Sequence, residues 1–314
     1  MTRYVVRRVG QALLALFGVS IVVFALIHLV PGDPVRTALG TRFDPDLYDA
    51  RVARAGLDQP VLVQYVRWLG NALQGDLGVS FRTGQPVTTA LTARLPATAL
   101  LAFGAVLVGL LIALPAGVVS AVRQGKLADY LANGFAQVGV SIPDFWYGIL
   151  LILVFAVTLG WLPPSGYVSP LDDPVAALRH LALPALTAGV VTGAILTRFV
   201  RSSVLEALNA QHVTLARAKG LPSRYVLRHH VLRNAWIPIL TVTGLQLGTL
   251  LGGIVVVEVV FAWPGLGRLA LDAVERRDYP VLQGAVLLIA AAFLIINLIV
   301  DLLYAKLDPR ITAR

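Results

Sequence analysis

The chain contains no cysteine. Neither a disulfide framework nor a thiolate metal site can therefore form. Charge is scarce as well: Asp, Glu, Lys and Arg make up 14% of the 314 residues, hydrophobic residues 57%, and the mean hydropathy is +0.77. A soluble domain carries roughly 25% charged residues, so this composition indicates an integral membrane protein. The charge that remains is unbalanced, with a formal net of +9. A basic excess suggests nucleic acid only if it does not sit at membrane boundaries, so its placement decides. A phosphate-binding G-x-x-x-x-G-K-[ST] string is also missing. The nearest stretch, "SAVRQGKL" (Ser120–Leu127), lacks the first glycine and the Ser/Thr, so the chain shows no ATP site of its own.

Against these absences stand long apolar runs. Crossing a hydrocarbon layer of ~30 Å takes about 20 residues at ~1.5 Å each. Six runs qualify: Val9–Val30, Pro96–Val122, Leu131–Leu162, Leu181–Thr197, Ala235–Ala262 and Val281–Val300. The first follows Arg3, Arg7 and Arg8, as a signal peptide would. It is too long for a signal h-region and no A-x-A site follows, so it reads as a retained helix. The second carries a kink signal at Pro115. The third is too long for one straight crossing and is interrupted by Pro143-Asp144.

Six crossings put both termini on one side. That side holds 15 Lys/Arg, and the short loops of the other side hold 4. The positive-inside rule then makes both termini cytoplasmic and accounts for the basic balance without nucleic acid. The expected layout is an N-terminus with its span (1–30), an extracytoplasmic segment (31–95) and a core of five further spans (96–314). A cytoplasmic loop at 201–236 lies within that core.

Within the extracytoplasmic segment, Pro31–Pro34 should turn the chain. In Asp58–Leu73, residues Leu62, Tyr65, Val66, Leu69 and Leu73 share one helical face, which is expected to pack on the outer surface of the bundle. The segment reads as a structural cap or as a docking surface for an external partner.

Few residues inside the spans carry chemistry. Gly244, Gly248 and Gly252 form overlapping G-x-x-x-G pairs, which suit close packing in the bundle, a subunit interface or a pathway lining. Asp144 and Glu258 are acids within spans, where an ionisable group is by default functional. Each has a structural alternative: Asp144 as a helix cap after Pro143, Glu258 as the ion-pair partner of Arg268 or Arg276. His229-His230 lacks further metal ligands. His28 is the only histidine well inside a span, and no Ser or Asp arrangement around it suggests an intramembrane hydrolase.

The loop at 201–236 has six Arg/Lys and one acid, Glu206. Val204, Leu208, Gln211 and Leu215 fall on one face. Gly220 fits a helix C′ position, Pro222 follows where a helix cannot continue, and Ser223 can start a second helix through Leu232. The expectation is two short helices at an angle, tethered closely at both ends. A DNA-binding helix-turn-helix would need a supporting third helix, for which there is no room. A lipid-surface helix explains the arginines but not the Gly-Leu-Pro break. A docking element for a cytoplasmic protein explains both.

Here the sequence resembles a known family. "ARAKGLPSRYVLRHHVLRNAWIP" is similar to the cytoplasmic signature of ATP-binding-cassette (ABC) importer permeases of the oligopeptide, dipeptide and nickel type. "HLVPGDP", "GLDQPVLVQYVRWLGNALQGDLGVSF", "RLPATALLA", "SIPDFWYGILLIL", "VEVVFAWPGLGRLALDAVERRDYPVLQG" and "YAKLDPR" resemble the first of that family's two paired permeases, in order along nearly the whole chain. The resemblance implies an all-α membrane fold of the type I importer permease kind, with six spans, in a bacterial cytoplasmic membrane. It implies a second permease subunit, two cytoplasmic ATP-binding subunits and an extracytoplasmic solute-binding protein as partners, with no nucleic acid. ATP and Mg would lie on the ATPase partners and no cofactor or metal in this chain, which would not itself be an enzyme. The implied cargo is di- or oligopeptide, with nickel, haem or glutathione as alternatives, and a secondary transporter is the distant rival. Coupling to the ATPase would run through Leu215, Ala216, Arg217, Ala218, Lys219 and Gly220. The superfamily's Glu-Ala-Ala opening is Thr214-Leu215-Ala216 here, so an ionic contact through that acid is not implied. Asp144, Gly248, Gly252 and Glu258 are the expected pathway residues, with Asp144 meeting a peptide's cationic amino terminus.

Overall fold

The computed structural model describes residues 2–29, 33, 35–36 and 44–307. The turn expected at Pro31–Pro34 (Asp33 apart), the side chain of His28 and the end of the chain from 308 lie outside the described residues. The elements are helical throughout; among the described residues the β pairing is a single bridge, Val79 with Pro86.

Helix α1 spans Thr2–Leu29. Two shorter helices follow, α2 (Pro45–Ala55) and α3 (Val61–Leu73). Asp44 starts α2 by accepting the N–H groups of Asp46 and Leu47, with Pro45 in the first turn where its missing N–H costs nothing. Helix α4 covers Val87–Val122, α5 Leu127–Ser141 and α6 Asp144–Leu151, the last continuing through π-helical turns over Ile152–Thr158. Helix α7 runs Pro174–Leu208 and α8 Gln211–Ala218. Helix α9 (Ser223–Val226) passes through a π turn, Leu227–Val231, into α10 (Leu232–Gly253). Last come α11 (Val255–Val260), α12 (Leu266–Glu275) and α13 (Tyr279–Leu307).

Five helical stretches are long and apolar enough to cross a membrane: α1, α4, α7, the α9–α10 unit and α13. A sixth crossing arises if α5 and α6 count together, bent by 100° at the break. The bend falls at Pro143, whose ring cannot continue α5 and whose φ of −60° starts α6. Two spans are longer than the apolar runs suggest. Helix α4 begins at Val87, so Pro96 lies inside it, and α7 is 35 residues rather than the short Leu181–Thr197. Charged and polar turns extend both helices beyond the hydrocarbon. The fifth run breaks at Ile254, which leaves Glu258 in the separate α11.

The core is the contact between α4 and α7. Gly109, Gly117, Gly189 and Gly193 line it, and there the two backbones nearly touch. A Cβ on Gly189 would lie 2.5 Å from Val108 Cγ1 and 3.1 Å from the carbonyl oxygen of Ala105. A Cβ on Gly117 would lie 2.6 Å from Val200 Cβ and 2.9 Å from the carbonyl oxygen of Thr197. Thr187, Thr192 and Thr197, all buried in α7, return their hydroxyls to carbonyls four residues back, so they add no unpaired polar group. Small residues of this kind let helices approach closely where lipid supplies no hydrophobic drive between them.

Only part of the face expected to bury α3 does so: Tyr65 packs, and its aliphatic neighbours do not. Leu62, Val66 and Leu73 are 80%, 68% and 82% exposed. The helix instead meets α1 through Tyr65 and Trp68, which pack on Phe24 at 5.2 and 5.8 Å, while Gln64 turns inward. Flat rings on one side of α3 outcompete the aliphatic stripe because they interlock with Phe17 and Phe24 of α1 and add a Tyr65–Ser20 hydrogen bond of 2.9 Å.

Gly189→Val forces a three-carbon side chain into a site where the Cβ alone would lie 2.5 Å from Val108 Cγ1. Overpacking of this kind costs about 1–3 kcal/mol. The variant is expected to lose several degrees of melting temperature in detergent, whereas Gly10→Val, with nothing within 4 Å, should not.

Candidate functional site

One short helix stands clear of the bundle. Helix α7 stops at Leu208, where the Asn209 N–H turns back to the carbonyls of Leu205 and Glu206. Extended backbone at Ala210, ψ 144°, then redirects the chain into α8. The apolar face proposed from Val204 to Leu215 is therefore split between two helices: Val204 is fully buried in α7, while Leu215 of α8 is 58% exposed and Gln211 is exposed too. What seats α8 is Val213 and Ala216, both buried.

The end of α8 closes as expected. Gly220 has φ 77° and occupies C′; its N–H bonds the carbonyl of Arg217 at 2.9 Å, and the Leu221 N–H reaches Ala216 at 3.4 Å. That pair of bonds is a Schellman closure, which needs a left-handed residue. Nothing lies within 4 Å of a Cβ built on Gly220, so backbone angle and not crowding selects glycine. Leu215, Arg217, Ala218, Lys219 and Gly220 are exposed together, and Ala216 faces inward.

The second short helix of the sequence reading is not separate. Pro222 occupies the N-cap position, Ser223 is already helical and makes no cap, and the helix runs on into α10. The loop is thus one eight-residue helix plus the end of a long one. Asn234 of α10 joins the two, its Nδ2 lying 2.8 Å from His212 Nε2 and donating to the His230 carbonyl at 2.9 Å. His229 stacks on Tyr225 with centroids 4.2 Å apart. Among the described residues no group of three or more His, Cys, Asp or Glu is placed to hold a metal.

Beneath α8 its buried side chains continue into the bundle. Val213, Ala216, Val226 and Val231 join one apolar cluster with Val200 and Val204 of α7, Ala113 and Ala121 of α4, and Ala235 and Ile239 of α10. Movement of α8 must therefore be felt by three long helices.

A partly buried ion pair, which the charge pattern did not reveal, locks the same region. Asp129, at the start of α5, accepts Nε and Nη2 of Arg201 at 2.7 and 2.9 Å, Ser120 Oγ at 2.5 Å, Asn133 Nδ2 at 2.7 Å and the Gly125 N–H at 2.9 Å. One carboxylate thus ties α4, α5 and α7 together. Its sequence signal was an acid in an otherwise basic loop.

The four expected pathway residues fall on three helices: Asp144 on α6, Gly248 and Gly252 on α10, and Glu258 on α11. Asp144 is half-buried in the first turn of α6, at the 100° bend, and its carboxylate makes no hydrogen bond to a described residue. Pro143 holds the cap position, so Asp144 is not the cap. Gly248 is buried against Phe293 of α13, and a Cβ on Gly252 would touch Ile289 of the same helix at 3.5 Å. Glu258 is fully buried and pairs with neither Arg268 nor Arg276 through a guanidinium. It accepts Thr98 Oγ1 at 2.7 Å and the backbone N–H of Arg268 at 2.8 Å. Next to it Trp263 Nε1 donates to the Ala97 carbonyl at 2.8 Å, and Thr98 Oγ1 accepts the Leu266 N–H at 2.7 Å. This knot fastens α11 and α12 to α4.

Just before α13, Asp278 accepts Ser80 Oγ and the Phe81 N–H, the latter at 3.0 Å. Burial pushes its carboxyl up from the usual range, against those hydrogen bonds and the nearby Arg51 charge.

A bundle of long apolar helices, packed through glycine and carrying one exposed helix wired into three of them, is the build of a multi-pass membrane protein. The chain belongs to the family of binding-protein-dependent transport system inner membrane components: that family matches residues 113–313, and its N-terminal companion family matches 1–102. A di/tripeptide transport system permease protein of Pseudomonas aeruginosa is 41% identical, with 99% of both chains covered. A dipeptide permease of Escherichia coli is 39% identical, and a glutathione transport system permease of Escherichia coli 42%, again over 99% of each chain. Among solved structures, an inward-facing methionine ABC transporter superposes with a TM-score of 0.59 at 20% identity, covering 70% of this chain and 96% of that one. An amino acid ABC transporter gives 0.51 at 19% identity, covering 71% and 94%. The fold is that of a type I ABC importer permease, and the chain is a permease subunit.

Removing one member of a fully buried ion pair costs about 3–5 kcal/mol; with the Arg201 side chain 25% exposed, the cost here is expected to fall below that range. Asp129→Ala and Arg201→Ala are each expected to lower the melting temperature, and the double variant to cost much less than their sum. Additive losses in that cycle contradict the lock.

Proposed function

We propose that the chain forms half of the pathway of an ATP-driven importer for di- or oligopeptides delivered by an extracytoplasmic binding protein. Its termini and α8 lie in the cytoplasm. A second, homologous permease supplies the other half, and two cytoplasmic ATP-binding subunits, which hold ATP and Mg, drive it. This chain has no catalytic role.

The observation that carries the coupling role is α8 itself. Its exposed edge, Leu215 to Gly220, presents a leucine, two cations and an open left-handed turn. Its buried edge, Val213 and Ala216, is packed into α4, α7 and α10. A contact on the exposed edge therefore displaces the bundle as a unit, which is what a rigid-body switch between two packed states requires. With Thr214 in place of an acid, the contact relies on shape, on Leu215 and on Arg217 and Lys219.

Asp144 is the pathway residue we retain, because its half-exposed carboxylate sits at a sharp bend and makes no hydrogen bond to a described residue. Such a group suits the cationic amino terminus of a peptide. Gly248 and Glu258 serve packing instead. Glutathione is the second reading for cargo, favoured by the relative that is 42% identical; it too presents an amino group.

Gly220→Val places a β-branched residue at φ 77°, a strain of about 1–3 kcal/mol that opens the Schellman turn. In proteoliposomes holding the whole complex, uptake per ATP hydrolysed is expected to fall at least about tenfold, the equivalent of ~1.4 kcal/mol of lost coupling. Unchanged uptake and solute-stimulated hydrolysis contradict the role of this turn. Asp144→Asn is expected to weaken uptake of peptides with a free amino terminus and to leave amino-blocked peptides unaffected. Equal effects on both contradict the pathway assignment.

A further inference from the structure

The segment between α1 and α4 contains an apolar surface that the bundle does not cover. On α3, Leu62, Val66, Leu69 and Leu73 form one stripe, and three of them are exposed at 80%, 68% and 82%. Arg67, Asn71 and Gln74, all exposed, lie on roughly the opposite side, as the 3.6-residue period requires. The flank between them carries Tyr65 and Trp68 and packs on α1.

The depth of α3 follows from where it touches α1. Tyr65 Oη is 2.9 Å from Ser20 Oγ, and the Tyr65 ring lies 6.5 Å from Phe17 and 5.2 Å from Phe24. The apolar stretch of α1 reaches at least to Ala25. Ser20 sits at least five residues inside that end, a depth of at least about 7.5 Å at ~1.5 Å per residue. A helix hydrogen-bonded at that depth cannot ride on water above the membrane. Apolar side chains of α1 are left open as well, Phe17 (47% exposed), Ile21 (45%) and Val22 (59%). Those residues lie in a helix long and apolar enough to cross a membrane, where exposed apolar side chains suit acyl chains.

We infer that α3 is an interfacial helix sunk into one leaflet of the bilayer, its Leu62–Val66–Leu73 stripe covered by lipid and its Arg67–Asn71 side turned to water. An amphipathic helix in this pose buries its apolar face in the headgroup–acyl boundary. Tyr65 and Trp68 match it, since such rings favour that layer. The intervening segment is then a membrane-seated wedge that holds the outer end of α1, not a soluble cap above the pore.

The absence of cysteine permits a direct test. Single cysteines at Leu62, Val66, Leu73 and, as the water-side reference, Asn71 are spin-labelled in the assembled complex in lipid nanodiscs. The accessibilities of each label to oxygen and to a water-soluble nickel chelate are then compared. All four sites are exposed, so the substitutions should not unfold the chain. The oxygen-to-nickel ratio at 62, 66 and 73 is expected to exceed that at 71 by roughly tenfold, because polar reagents are excluded from hydrocarbon. High nickel accessibility on the stripe overturns the inference in favour of a soluble cap. Low accessibility to both reagents also overturns it, since the cover would then be protein, such as the partner permease.

Discussion

The arrangement depends on how closely α4 and α7 approach each other. In lipid, apolar side chains gain little by choosing one another over acyl chains, so association must come from contact at short range. Gly109, Gly117, Gly189 and Gly193 remove the side chains that would hold the backbones apart, and Val108, Thr192 and Val200 fill the space gained. Dispersion contacts are small singly and large in sum, so a long seam of this kind makes one stiff unit of two helices.

Other elements attach to this unit at its two ends. At one end the knot of Glu258, Thr98 and Trp263 binds α11 and α12 to α4 with every polar atom named there hydrogen-bonded. At the other, Asp129 and Arg201 tie α5 to α7, and the seat of Val213 and Ala216 ties α8 to α4, α7 and α10. Buried polar groups are costly unless satisfied and rigid once they are. A push on α8 therefore reaches stiff helices rather than a loop that yields.

The helical class, the apolar runs and the left-handed turn at Gly220 were legible in the sequence, because each rests on local chemistry: hydropathy over twenty residues, or one glycine before a proline. What depended on distant partners was not. The G-x-x-x-G spacing drew notice to Gly244 and Gly248, which pack on α13, while the main seam ran through Gly109, Gly117, Gly189 and Gly193. Glu258 read as one half of an ion pair, yet its partners are a hydroxyl and backbone N–H groups, which no charge pattern reveals. The stripe on α3 read as core because periodicity shows that a face is apolar but not whether protein or lipid covers it. Asp129 passed as loop charge, since its four partner residues lie on three different elements and the loop between α4 and α5.

The central claim is that the exposed edge of α8 is where an ATP-binding subunit drives the bundle. A photo-crosslinking residue in place of Leu215, in the intact complex in membranes, tests it most directly. The account predicts that light joins this chain to the ATP-binding subunit, with a yield that changes between the nucleotide-free and ATP-bound states. A crosslink only to lipid or to the second permease, or a yield indifferent to nucleotide, would contradict it.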